Sequence, residues 1–231
     1  MRAPFTLLFL LLLTAGLLAE DPAHTYASRF ERRYNSAQTL QATFLEEYSE
    51  SGKTVRKESG TVSFRRPGKM RWDYEAPEKN LFLVDGKTTW FYVPADRTVM
   101  KVPAADSNDW RTPVALLAGQ WKVSRACARL SLAPQPVDSP ANIELSCVLK
   151  GDPGAKSPAA AADTTILFEL VRDTGELVHL TIADAPGGIR TEFYFRNWVY
   201  NPPLPDTLFH FNAPPNVAIV DARNSPFLPQ H

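Results

Sequence analysis

Catalytic centres are usually built from residue patterns that this chain does not have. Its four histidines, His24, His179, His210 and His231, are scattered, and none stands at an H-E-x-x-H or other metal-ligand spacing. There is no G-x-S-x-G elbow, no S-x-x-K and no G-x-x-x-x-G-K-[ST] phosphate loop. Glu46 and Glu47 are adjacent in a strand-like run and face opposite ways, which makes them a poor acid–base pair. The pattern argues against an enzyme, and no metal or cofactor is expected. An excess of one charge is also missing. The 25 Lys+Arg balance 25 Asp+Glu, with no basic block, which speaks against nucleic acid and against electrostatic docking on a membrane. Cysteine is scarce, at two residues, and glycine modest, at 11.

What is present begins with MRAPFTLLFLLLLTAGLLAE. Arg2 supplies a positive start, Phe5 to Leu13 an apolar run and Ala15 to Ala19 a small-residue stretch, the layout of a cleaved secretory signal peptide over residues 1–19. The apolar run is short for a membrane span. No cysteine stands at or near the expected cleavage site, so a lipidated N-terminus is not expected. Removing residues 1–19 takes away Arg2 alone, leaving 24 basic against 25 acidic residues, a formal charge of −1. In an oxidising compartment Cys127 and Cys147 are expected to form a disulfide. Closing a loop of that length stabilises a fold by about 3 kcal/mol. A reactive thiol is the alternative, but no histidine stands near either cysteine in sequence to activate it.

The remaining residues, 20–231, read as one domain. Asp21 followed by Pro22 opens a helix, with Ala23, Tyr26, Ala27, Phe30 and Tyr34 at helical spacing along one face. Strands follow, with apolar alternation at Leu40, Ala42 and Phe44 and a turn at Ser51-Gly52-Lys53. Pro113 to Gly119 (PVALLAG) reads as a short apolar helix that must bury its surface or cover something apolar. Further strands are expected around Cys127–Leu132, Ile143–Leu149, Thr165–Arg172, Leu177–Ala183 and Ile189–Tyr200. A turn of helix is expected near Asp206-Thr207-Leu208, then Phe209 and Phe211 and a strand at Val217–Val220. Gly151 to Ala162 is a low-complexity loop to which no role is assigned. Twenty prolines favour many short strands over long helices. The expected fold is mainly β: an unclosed antiparallel half-barrel whose helices cover its concave side.

The centre of the chain is Gly60 to Tyr92, GTVSFRRPGKMRWDYEAPEKNLFLVDGKTTWFY. Val62, Phe64 and Arg66 lie two apart and share a strand face, and Met70, Trp72 and Tyr74 do the same after Pro67-Gly68. That face is apolar except for Arg66. Either Arg66 snorkels to water at the strand end, or it reaches into an apolar concavity and donates hydrogen bonds to whatever covers it. Leu81 to Val84, Trp90 to Tyr92 and Phe193 to Tyr194-Phe195 are apolar on both faces. Such strands fit either a thick ordinary core or a core on one side and a cavity on the other.

The runs GTVSFRRPGKMRWDYEAP and LVDGKTTWFYVP, with Phe44-Leu45-Glu46 before them, Thr112 to Leu117 after them and the closing FHFNAPPNVAIVD, resemble the LolA family of periplasmic outer-membrane lipoprotein carriers. The resemblance implies a periplasmic chaperone. Such a protein would accept acylated lipoproteins from an ATP-driven inner-membrane transporter, shelter their acyl chains in an apolar cavity and pass them to an outer-membrane acceptor. A monomer is expected. The resemblance puts the family's lid-locking arginine at Arg66, and the lid at residues 22–35 and 113–118, with Tyr26, Phe30, Val114, Leu116 and Leu117 as its inner residues. Val62, Phe64, Met70, Trp72, Tyr74, Trp90 and Tyr92 are the expected cavity lining. Glu46 departs from the glutamine many relatives carry. The alternative function is a carrier or sensor of other lipids or glycolipids on a similar half-barrel.

Overall fold

Asp21 caps the first helix, α1 (Pro22–Asn35): its Oδ1 accepts the Ala23 N–H at 3.0 Å, and Pro22 enters the first turn, where no N–H is needed. The helix buries Ala23, Ala27, Phe30 and Tyr34 and leaves Tyr26 partly covered. This computed structural model describes residues 21–104, 117–119, 122–134, 139–150, 164–184 and 188–221. The expected signal peptide, the loop 151–162 and two of the expected lid residues, Val114 and Leu116, lie outside them.

The strands are β1 (Thr39–Glu50), β2 (Lys53–Arg65), β3 (Lys69–Ala76), β4 (Leu81–Val84), β5 (Thr88–Val93) and β6 (Thr98–Pro103), then β7 (Cys127–Leu132), β8 (Asn142–Leu149), β9 (Thr164–Val171), β10 (Leu177–Asp184), β11 (Ile189–Tyr200) and β12 (Ala218–Asp221). They form one sheet in the order β12-β6-β5-β4-β3-β2-β1-β11-β10-β9-β8-β7. Because β7 and β12 end the order without pairing to each other, the sheet is an open half-barrel. A short helix not anticipated from the sequence, α2 (Val123–Ala126), precedes β7.

The β2–β3 pairing needs a residue without a side chain. A Cβ at Gly60 would fall 1.9 Å from the Asp73 carbonyl oxygen, at the point where the register shifts between Ser59 and Gly60. Past that point Val62 faces Trp72 and Phe64 faces Met70, so the two runs of alternating residues meet on one face. Strand alternation carries the same face across the sheet: Leu40, Ala42 and Phe44 on β1, Ile166, Phe168 and Leu170 on β9, Phe193 and Phe195 on β11 are all buried. Cys127 and Cys147 are joined as a disulfide between β7 and β8, as expected for an oxidising compartment.

The expected turn of helix is a 3-10 turn over Asp206–Phe209, and Phe211 follows in irregular chain. One expectation about the C-terminal region needs correction. The last strand is parallel to its neighbour β6, not antiparallel, because the chain returns from β11 over the outer face before it pairs. That return buries Leu83 and Phe209 outside the main interior cluster.

Candidate functional site

The site grows from the concave face of β2 and β3. Val62, Phe64, Met70, Trp72 and Tyr74, five of the expected lining residues, all point into it and are all buried. Trp72 lies at its centre. Its ring centroid is 4.7 Å from that of Phe44, 5.2 Å from Phe193, 6.2 Å from Phe195 and 6.3 Å from Phe64. Tilted and edge-on ring pairs at such distances are favourable beyond the area they bury. The concavity is therefore filled by its own aromatic side chains, each of which can turn aside only by giving up these neighbours.

Trp90 and Tyr92 are not in it. The Asp85-Gly86 turn sets a register in which Trp90 lies across from Leu83 and Tyr92 across from Leu81, while Leu83 and Leu81 lie across from Arg71 and Asp73. All of these occupy the outer face. There Trp90 stacks on Phe211 at 5.1 Å and Tyr92 approaches the same ring at 5.9 Å, under the returning C-terminal chain. The inward positions of β4 and β5 belong instead to Phe82, Val84, Thr89 and Phe91. Parity within Trp90-Phe91-Tyr92 allowed either assignment; only the pairing of β4 with β3 decides it.

Sequence reasoning had not placed Glu46 in the interior, where it pairs with Tyr74. Glu46 follows Leu40, Ala42 and Phe44 at two-residue steps, so alternation alone would have turned it inward. It is 1% exposed, and the Tyr74 hydroxyl donates to its Oε2 at 2.8 Å. Arg56 reaches toward its other oxygen at 3.6 Å, and also pairs with Glu58 at 2.8 Å.

Arg66 stands at the mouth, one residue beyond β2. Its Nη2 donates to the Tyr34 carbonyl at 3.0 Å, in the last turn of α1, where the helix dipole favours a cation. Its Nη1 lies against the backbone of Gly119, at which a Cβ would come within 2.2 Å. Gly119 has φ +80°, a conformation that suits glycine, and it follows the short helical turn that carries Leu117 and Ala118, both fully buried. Next to this contact the Gly68 N–H donates to the Ala118 carbonyl at 2.9 Å. Partial burial shifts the Arg66 pKa below the ordinary arginine value. Of the two readings of Arg66, the geometry matches a guanidinium engaged with its cover. The cover residues Phe30 and Leu117 are buried, and Tyr26 is at the edge, its hydroxyl accepting from Arg172 at 3.3 Å.

Among the described residues no group of three or more His, Cys, Asp or Glu side chains is arranged to hold a metal ion, and none of the described helices is long and apolar enough to cross a membrane. What the site offers chemically is apolar surface, a few convergent polar atoms and the Arg66 guanidinium at its edge.

The family model for the outer membrane lipoprotein carrier protein LolA matches residues 35–136, which contain β1 to β6 with Arg66 and the whole β2–β3 face. The chain is 30% identical over 220 residues to an outer-membrane lipoprotein carrier protein of Nitrosomonas europaea, covering 93% of this chain and 98% of that one. It is 32% identical over 189 residues to one from Nitrosospira multiformis, covering 80% and 83%. Among solved structures, an uncharacterized conserved protein from Thermus thermophilus shares the fold at a TM-score of 0.52 and 13% identity, over 86% of this chain and 98% of that one. An open half-barrel with an apolar concave face, an arginine before Pro67 at its edge and near-full-length similarity to these carriers together make the chain a member of the LolA family of outer-membrane lipoprotein carrier proteins.

Proposed function

We propose that this protein is a periplasmic chaperone that takes acylated lipoproteins released from the inner membrane, shelters their acyl chains in its concave interior and delivers them to the outer membrane. The observation that carries the reading is the seam at Arg66. One guanidinium spans the edge of an apolar concavity and holds two separate pieces of its cover, the end of α1 and the turn at Leu117–Gly119. An acyl chain gains about 0.8 kcal/mol for each methylene it buries, so a shuttled lipid tail needs apolar surroundings for the whole transit. Those surroundings must also open without a chemical energy source at the receiving membrane. A clasp of one charge-assisted hydrogen bond, worth about 1–3 kcal/mol, is weak enough to exchange against cargo. Arg66 accordingly stabilises the empty, closed form, and an entering acyl chain competes with the rings around Trp72.

In this reading the partners are an ATP-driven transporter of the inner membrane, which loads the carrier, and an outer-membrane acceptor that unloads it. No catalytic step and no cofactor are involved. The test is release from membranes: purified protein is mixed with inner-membrane vesicles that hold the transporter and a labelled lipoprotein, and ATP is added. A soluble one-to-one complex that forms only with both ATP and this protein is the expected result. Failure to release the lipoprotein, with phospholipid or glycolipid found bound by mass spectrometry, overturns it in favour of a carrier or sensor of other amphiphiles.

A further inference from the structure

Three tryptophans among the described residues differ in how their indole N–H groups are used. Trp90 Nε1 donates to Asp85 Oδ2 at 3.0 Å, and Trp198 Nε1 to the Leu177 carbonyl at 2.8 Å. Trp72 Nε1 is buried and has no acceptor among the described residues. Yet Trp72 is 0% exposed and sits at the centre of the concave face, ringed by Phe44, Phe64, Phe193 and Phe195. A buried indole normally finds a partner for its N–H, and a donor left without one costs about 1–3 kcal/mol. If the position needed only apolar bulk, phenylalanine would supply it without that cost.

We infer that Trp72 is a specificity-determining residue of the concavity, whose indole N–H donates to the carbonyl oxygen of an acyl ester or acyl amide bound there. The inference rests on the carrier reading above. It adds that the interior recognises the linkage of an acyl chain as well as its hydrocarbon. A second observation points the same way. Arg66 Nε, on the same β2–β3 hairpin, is also buried without an acceptor among the described residues. Both unmet groups are donors, so a ligand that satisfies them must bring acceptor oxygens. Mostly apolar sites with a small number of placed polar groups are the usual form of a selective pocket for an amphiphile. Buried polar groups of this kind discriminate strongly, because a ligand lacking the matching atom leaves them unpaired again.

The experiment compares two probes of equal chain length, methyl palmitate and hexadecyl methyl ether, as competitors of a fluorescent lipid-tail reporter. The protein carries ¹⁵N-labelled tryptophan so that each indole N–H is seen separately, with the Trp72 signal assigned by its loss in Trp72→Phe. In the wild-type protein the ester is expected to compete about tenfold better than the ether, the scale of one well-made buried hydrogen bond. The Trp72 N–H resonance is expected to move downfield with the ester only. In Trp72→Phe the two probes should fall within about twofold of each other. If both probes displace the reporter equally from the wild type and the Trp72 resonance does not move downfield with the ester, the inference is overturned while the carrier reading stands. If the reporter binds and neither probe displaces it, lipid-tail binding in the concavity fails, and both readings fall. Should Trp72→Phe not fold, the signal is assigned by elimination through Trp90→Phe, Trp110→Phe, Trp121→Phe and Trp198→Phe, and the wild-type resonance with the two probes decides.

Discussion

The two flanks of α1 are held by different means. On the flank facing β9 to β11 the helix is tied several times over. Arg29 donates to the Arg172 carbonyl, Arg33 pairs with Glu176 and donates to the Tyr200 hydroxyl at 2.6 Å, and the Leu177 N–H donates to the Tyr34 hydroxyl at 2.9 Å. Phe30 and Tyr34 add ring contacts to Phe168 and Trp198, at 5.7 and 5.2 Å. Burial raises the Tyr34 phenol well above its ordinary value, so it stays a neutral hydrogen-bonding group at any physiological pH. On the flank facing β2 and β3 the side-chain tie among the described residues is the Arg66 guanidinium, with one bond to the Tyr34 carbonyl and a contact against Gly119. The difference teaches where the molecule can open. Among the described residues the β2–β3 hairpin is joined to the cover by fewer ties, the Arg66 bond to Tyr34 and the Gly68 N–H bond to the Ala118 carbonyl, and we propose that the molecule opens along this seam.

The largest effect should come from breaking the strong flank. Tyr34→Ala removes a fully buried aromatic side chain and the acceptor of the Leu177 N–H, and is expected to cost about 3–5 kcal/mol in urea unfolding. A loss below about 1 kcal/mol, the scale of a single hydrogen bond, would mean that α1 is not bolted to that wall. Next, converting both Cys127 and Cys147 to serine removes a cross-link spanning 20 residues in the same half of the sheet, with an expected cost of about 3 kcal/mol. The comparison predicts that uptake of a lipid-tail fluorophore by that variant stays within about twofold of wild type, since the seam is untouched.

Breaking the weak flank should have the reverse profile. Arg66→Ala is expected to lower stability by only about 1 kcal/mol, the net worth of a typical hydrogen bond, while speeding fluorophore entry and exit several-fold. Stopped-flow traces indistinguishable from wild type would remove Arg66 from its clasping role. Gly119→Ala forces the same guanidinium aside from the other direction, at a position with positive φ, and should also speed entry. The smallest effect concerns the outer surface of β10 and β11. The hydrogen bond from His179, helped by Arg190, holds the Glu192 carboxyl at about 2, against an ordinary 4.5. A depressed carboxyl contributes stability that is fully present above pH 4.5 and is lost as pH falls through about 2. Glu192→Gln should therefore flatten the loss of stability across that window, read from thermal midpoints, and leave fluorophore kinetics unchanged.

Much of this architecture was legible in the sequence because it depends on local rules. Asp21-Pro22 announces the start of α1 through capping and a missing N–H, and the spacing of Ala23, Ala27, Phe30 and Tyr34 announces its buried face. The two-residue period of Val62 and Phe64, then of Met70, Trp72 and Tyr74, shows an apolar strand face, and the turn residues show where strands reverse. Glu46 was equally legible, since it continues the inward alternation of Phe44, but a charged residue at the end of an apolar run reads more readily as solvated. Trp90 and Tyr92 were not legible. Three apolar residues in succession carry no parity signal, and their face is set by pairing partners that lie up to about twenty residues away.

The sequence by itself determined most of the elements, their order and the composition of an apolar strand face, because each follows from side chains within a few positions of one another. Only the tertiary structure decided which face became the interior, that the last strand returns parallel to β6, and that Arg66 meets Tyr34 and Gly119. Those meetings join residues 32 and 53 positions from Arg66, and no local propensity can encode them. They arise when an open sheet curls over its apolar face and the cover settles where a guanidinium can still find a carbonyl.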